Sequence, residues 1–199
     1  MEFNTKRLWL TRLPMAYEVS KEKISLTTRA YSDLWQGTGS GEDKDNAPLI
    51  QMTTEEQNFT FTVKADFAGY SVLFDQCGVV MYLDKDCWLK AAVEYENETS
   101  GRLVTVVTNH GWSDCAIAQI SGDIRSMWYR LHRRNADFCV ECSEDGVAYR
   151  QIRIFHIPEA AESIKFGMYA CSPGDSSFEA VFTEMQMTEC SWVPYKHSR

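Results

Sequence analysis

The stretch Trp88–Asp114 reads WLKAAVEYENETSGRLVTVVTNHGWSD, and its alternation decides the fold. On a strand, residues two apart share a face. One face then carries Trp88, Lys90, Ala92, Glu94 and Glu96, and the other Leu89, Ala91, Val93 and Tyr95. The polar NETSGR is a turn containing Gly101, and LVTVVTNH is the returning strand. The apolar face is the one that packs into a core. The mixed face sets Lys90 and Glu94 about 13 Å apart, four residues at about 3.3 Å each, so they do not pair on one straight strand. Each needs a cross-strand partner, and Asn109, Arg130, His132 and Arg153 are the candidates.

Outward from this hairpin the same period recurs. In FTFTVKADF, Phe59, Phe61, Val63, Ala65 and Phe67 share one face, and Thr60, Thr62, Lys64 and Asp66 share the other. CGVVMYLD is dense enough in apolar residues for a central strand, and KDC turns the chain into the hairpin. MWYRLHRRN, FCVECSEDG, YRQIRIFHI, IKFGMYACS and FEAVFTEMQM follow, with KISLTTRA and PLIQMT upstream. Asp145-Gly146 marks a hairpin turn, GTGSGEDKDNAP an acidic glycine-rich loop, and IPEAAESI one short helical turn after Pro158. The tail SWVPYKHSR is expected on the surface. Ten to twelve short strands with hardly any helical period predict an antiparallel sandwich, built as one domain over residues 1–199.

Composition excludes several classes. With 199 residues the chain buries enough surface to fold without a disulfide or metal. The net charge of −8 argues against nucleic acid and anionic membranes as partners. No apolar run approaches the roughly eighteen residues of a membrane span, and the N-terminus lacks a secretory pattern. Seven cysteines, an odd number at irregular spacing, read as free thiols of a reducing, cytoplasmic compartment.

Reactive constellations are sparse. Cys139-Val140-Glu141-Cys142 has ligand-like spacing, but on a strand its two sulfurs point to opposite faces. Glu94 and Glu96 are the nearest approach to a glycosidase carboxylate pair. The four histidines are scattered, and no nucleophile elbow or phosphate-binding loop occurs. Arg130 is placed to grip a carboxylate or to pair with Glu94.

The segments DQCGVVMYLDKDCWLKAAVEYENETSGRLVTVVTNHGWSD, SDLWQGTGSGEDKDNAPLI, WYRLHRRNADFCVECSEDGVAYRQIRI and FGMYACSPGDSSFEAVF together resemble a family of uncharacterised proteins with a concanavalin A-like sandwich. Its fungal members are labelled "regulation of enolase". The resemblance runs over about residues 17–189 and implies an all-β jelly roll of two curved antiparallel sheets. It does not imply a reaction. The family's recurring polar positions fall on Asp75, Gln76, Gly78, Lys90, Glu94, Asn109, Ser113, Asp114, Arg130, Asp145, Gly146 and Arg153.

The resulting expectation is a non-catalytic binding protein with a carbohydrate or sugar-like ligand on the concave sheet. Gln76, Lys90, Glu94, Asn109, Ser113, Asp114, Arg130 and Arg153 would supply hydrogen bonds, and Trp88 or Trp112 would stack on the ring. HGWSD would form a loop at the mouth, and Lys90, Glu94 and Asn109 would converge. The alternatives are a cytosolic regulator binding a metabolic enzyme such as enolase, and a specialised carbohydrate-active enzyme using Glu94. No cofactor and no metal are expected, and the chain would be a monomer or dimer.

Overall fold

A computed structural model describes residues 3–39 and 43–194. Its strands are β1 (Trp9–Leu10), β2 (Ala16–Val19), β3 (Lys23–Thr27), β4 (Leu34–Trp35), β5 (Lys44–Asp45), β6 (Leu49–Thr54), β7 (Asn58–Asp66) and β8 (Gln76–Asp84). They continue as β9 (Cys87–Tyr95), β10 (Ser100–Asn109), β11 (Trp112–Ser121), β12 (Ser126–Arg134), β13 (Asp137–Ser143), β14 (Arg150–His156), β15 (Ile164–Cys171) and β16 (Glu179–Glu189). The helical turn at IPEAAESI is a 3₁₀ turn over Pro158–Ala160. No helix among the described residues is long and apolar enough to cross a membrane.

Two seven-stranded antiparallel sheets form a jelly-roll sandwich. The first runs β1-β6-β15-β8-β9-β10-β11 and the second β14-β13-β12-β7-β16-β3-β2. The alternation predicted for residues 59–67 holds: Phe59, Phe61, Val63, Ala65 and Phe67 are all fully buried. They meet Val79, Met81, Leu89, Ala91 and Val93 of the first sheet in the core between the layers. The tilted and edge-on contacts of Phe166 with Phe59 and Phe61, at 4.8 and 5.1 Å between ring centroids, span the two sheets. Gly78 lets β8 and β9 close up, since a Cβ there would lie 2.0 Å from the Ala91 carbonyl oxygen.

The hairpin is longer than its sequence suggested. Gly101 and Arg102 belong to β10, not to the turn, and the register pairs Arg102 with Glu94 and Val106 with Lys90. HGWSD is not a loop either: the chain reverses at His110-Gly111, and Trp112–Ser121 forms β11. That strand escaped the sequence reading because its first-sheet edge position leaves most of its side chains exposed, so no apolar period marks it.

Beyond the sheets, one arginine seals an end of the sandwich. Arg133 is fully buried. Its Nε donates to the Asn135 carbonyl at 2.8 Å and Nη1 to the Glu56 carbonyl at 2.9 Å. Nη2 donates to the carbonyls of Ala160 and Glu162 at 2.6 and 2.9 Å and to Gln57 Oε1 at 3.0 Å. The rigid guanidinium fork thus satisfies backbone acceptors that no strand reaches.

Away from its β11 edge, the outer face of the first sheet is largely covered. Val80, Tyr82, Trp88, Ala92, Val104, Val106, Tyr169 and Cys171 project from it and pack against Leu34, Ala47 and Leu49 in a second, smaller core. The cover is formed by residues 28–39 and 43–48. Hydrogen bonds clip it at both sides: Thr28 Oγ1 to Ser172 Oγ at 2.7 Å, Ser32 N to the Ser172 carbonyl at 3.0 Å, and Gln36 N to Ser113 Oγ at 2.9 Å. The stretch read as a glycine-rich loop thus contributes β5 and Ala47 to this roof, and β5 pairs with β4 just upstream of it.

Candidate functional site

Strand register assembles the floor of a cleft under this roof. Gln76, Glu94 and Arg102 are direct neighbours across β8, β9 and β10. Two repeats of the pleat along, Val80, Lys90, Val106 and Cys115 form a parallel row. Asp33 and Trp35 descend from the roof, and Phe74, Ile117 and Pro173 close the sides, with Lys44 at the rim. The enclosed volume is about 560 Å³. That lies within the range of about 300–1,000 Å³ usual for small-molecule sites.

Lys90 is the most deeply placed charge. Its side chain is 2% exposed, and Nζ donates to Asp33 Oδ1 at 2.9 Å. Burial alone would lower its pKa, but the Asp33 carboxylate, with Cys171 and Glu94, outweighs that and holds the ammonium above the usual lysine value. The same Asp33 oxygen accepts the Leu34 amide at 2.7 Å. Lysine and roof are thereby one unit, linked across 57 residues of chain.

Glu94 is in a different state. It is buried, and burial pushes its carboxyl above the ordinary range, which Lys90 and Arg102 only partly offset. The nearest cation, Arg102 Nη1, stands 3.9 Å away. Gln76 next to it is oriented by two bonds: its amide donates to the Phe74 carbonyl at 3.1 Å, and its oxygen accepts Tyr169 Oη–H at 2.8 Å. Cys115 also borders the cleft, and burial raises its thiol pKa.

The structure brings Gln76, Lys90 and Glu94 together and disperses the other expected residues. Trp88 is fully enclosed in the second core, its Nε1 donating to the Lys85 carbonyl at 3.1 Å, so no ring face is open for stacking. Trp112 is 67% exposed at the start of β11, against Gly37 and outside the cleft. Ser113 is buried and clamps the roof through Gln36 while bonding Thr108 Oγ1 at 2.7 Å. Asn109 has the parity of Leu103 and Val107, which face the inter-sheet core, and so does not converge with Lys90 and Glu94.

Arg130 and His132 are not partners of Glu94, because β12 lies in the other sheet. Arg130 stacks 3.5 Å over the Tyr149 ring with Glu141 at 4.0 Å. His132 bonds Glu141 Oε2 at 3.0 Å and Thr60 Oγ1 at 2.8 Å. Arg153 reaches across the sandwich edge to Asp114 at 2.8 Å and joins β14 to β11 there. Asp75, among the recurring positions, is buried under its own loop, accepting the Ser71 and Val72 amides and Ser176 Oγ–H. Cys139 faces Gln151 on the outer side of β13 while Cys142 joins the core, so the two sulfurs are divided between faces.

Sequence reasoning missed Asp33, Trp35, Phe74 and Arg102. Arg102 had a readable signal: a hairpin register centred on Glu98 pairs it with Glu94. Asp33 had none, since it enters from a segment with no period.

Comparisons with known proteins agree with this architecture. The family described as "Protein of unknown function (DUF1349)" matches residues 9–190, and the chain belongs to it. The curated "Regulation of enolase protein 1" of Saccharomyces cerevisiae is 27% identical over 180 residues, covering 90% of this chain and 88% of that protein. A crystal structure titled as a functionally unknown protein from Saccharomyces cerevisiae superposes with a TM-score of 0.85 at 25% identity, over 94% of this chain and 98% of that one. A mutant of the GH43 protein BlXynB from Bacillus licheniformis superposes at 0.71 with 14% identity, over 95% of this chain but 38% of that one. The last likeness is one of fold.

Proposed function

We propose that this protein is a cytoplasmic, non-catalytic binding protein that holds a small carbohydrate or sugar-like ligand between the first sheet and the roof that covers it. The observation that carries the reading is the cleft itself. A row of polar groups, Gln76, Glu94 and Arg102, lies on a rigid sheet floor, with Lys90 behind and Trp35, Phe74 and Ile117 on the walls. Polar floors bond hydroxyls while aromatic and aliphatic walls cover the apolar face of a ring. Fixing the floor on strands places these groups with little freedom to lose on binding. A hydrolytic reading is less well supported, because Asp33, the acid that shares the cleft with Glu94, is held by Lys90 and the Leu34 amide.

The test is a thermal-shift screen against mono- and oligosaccharides, sugar acids and sugar phosphates. A ligand at a hundred times its Kd adds about 2.7 kcal/mol, which for a chain of this size raises Tm by roughly 5–10 °C. The shift should vanish in Glu94→Ala. A screen without any shift would sink the reading.

The name of the yeast relative supports a second one, a regulatory contact with a metabolic enzyme such as enolase. The alternating residues Leu13, Met15, Tyr17 and Val19 around edge strand β2 are 62%, 64%, 51% and 42% exposed, an apolar stripe of the kind proteins dock on. Loss of enolase capture by the purified protein in Met15→Asp/Tyr17→Asp would support this reading. Absence of capture by the unaltered protein would end it.

A further inference from the structure

Within the proposed binding cleft, on whose existence this inference depends, we infer that the ligand is an acidic sugar whose carboxylate is gripped by Arg102. Arg102 has five N–H donors in a planar fork. Among the described residues its side chain donates to no acceptor at hydrogen-bond distance, and its one ion pair, to Glu94, is stretched to 3.9 Å. The fork is therefore free to form charge-assisted hydrogen bonds with a ligand that supplies the acceptors.

The fork is also aimed. The Phe74 ring centroid lies 5.5 Å from the Arg102 guanidinium carbon, a cation–π contact that holds the group on the Phe74 side of the cleft. Its stem rises from a strand position fixed on both sides, opposite Glu94 on β9 and Gln119 on β11. A guanidinium lining the cleft matches a planar carboxylate with two parallel bonds.

The surrounding charges narrow the class. Lys90 is already balanced by Asp33 at 2.9 Å. Glu94 and Asp33 both border the space where the ligand's anion would sit. A phosphate dianion would meet two carboxylates there, whereas a single carboxylate carries the smaller charge and needs only the fork. The apolar share of the wall, Phe74 and Ile117, leaves room for the ring that bears it. Gln76, bonded to the Phe74 carbonyl and beside Glu94, completes the polar edge of the floor on that side.

Calorimetric titration of the whole protein with D-glucose, D-glucuronate and D-glucose 6-phosphate tests this, with D-galactose and D-galacturonate as a second matched pair. The expected result is a uronate that binds at least about 10-fold tighter than its neutral parent, the worth of one charged hydrogen-bond pair. It should also bind tighter than the phosphate. Arg102→Lys keeps the charge but loses the fork, and should remove most of that preference while leaving the Tm of the free protein unchanged. Ile117→Trp, which fills the cleft from an exposed wall, should abolish binding of every sugar. Equal binding of acid and neutral sugar, stronger binding of the phosphate, or a preference that survives Arg102→Lys overturns the inference. In those cases loss of binding in Ile117→Trp would still uphold the cleft as a site. No heat from any of the five sugars overturns both.

Discussion

Lys90 Nζ lies 2.9 Å from Asp33 Oδ1, and this single contact joins the centre of the first sheet to the segment that covers it. The lysine is enclosed on that face with Val80 and Val106 as its cross-strand neighbours. Its charge is tolerated because the roof brings the counter-charge.

Lys90→Met should therefore destabilise by about 3 kcal/mol, the lower part of the range for breaking an enclosed pair, because it strands Asp33. In Tm this is about 6–12 °C for a chain of this size. Lys90→Met combined with Asp33→Leu should cost less than the sum of the two single changes, as coupled neighbours do. Denaturant titration of the four proteins measures the coupling, and strict additivity would mean the contact does not hold the roof.

Arg133→Lys should cost about 3 kcal/mol even though the charge is kept. A lysine cannot serve acceptors from Glu56, Gln57, Asn135, Ala160 and Glu162 at once, and carbonyls would be left unsatisfied. Urea unfolding gives the value. A loss below about 1 kcal/mol would show that water replaces the guanidinium there.

Gly78→Ala should be among the most damaging single-methyl additions. The new Cβ would meet the Ala91 carbonyl oxygen at 2.0 Å and Ala92 Cα at 2.9 Å, both backbone atoms of the neighbouring strand. Forcing β8 from β9 in mid-sheet should cost about 3 kcal/mol or more. A Tm within a degree or two of the unaltered protein would contradict that packing.

Glu94 gives stability a pH dependence. Burial raises its carboxyl pKa, so the folded protein keeps this proton over a range in which the unfolded chain has released it. Its contribution is complete below the ordinary carboxylate pKa and is lost as pH rises through the raised folded value. Glu94→Gln removes the cost of the buried charge. The variant should melt higher than the unaltered protein at pH 7, and the difference should shrink toward zero near pH 4. A difference that is the same at both pH values would show that Glu94 is not held in its neutral form.

The fold was readable because its strands obey a period of two and its core residues are the apolar members of each. Phe59 to Phe67 and Leu89 to Val93 needed nothing beyond that. The edge strand β11 was not readable: Cys115, Ala116, Ile117 and Ala118 are exposed to varying degrees, and burial leaves no alternating trace there. The site was half readable. Lys90 and Glu94 stand out as charges inside an apolar strand, and that oddity pointed to the face that lines the cleft. Their partners were sought among arginines and histidines of strands that folding places in the other sheet. Asp33 comes from an irregular roof, and contacts made by irregular segments are fixed by tertiary packing, not by local pattern. Trp88 illustrates the same limit, since a ring on the polar face was read as a stacking platform and the roof buries it.

The most direct measurement is thiol alkylation of the native protein with and without D-glucuronate, read residue by residue. Cys115 borders the cleft and is exposed, while Cys77, Cys139, Cys142 and Cys171 are buried. Cys190, only partly buried and outside the cleft, serves as an internal reference. A sugar seated on the Gln76–Glu94–Arg102 row should slow labelling of Cys115 several-fold and leave Cys190 unchanged. Equal labelling of Cys115 under conditions where the sugar raises Tm would place the ligand elsewhere and contradict the cleft as the site.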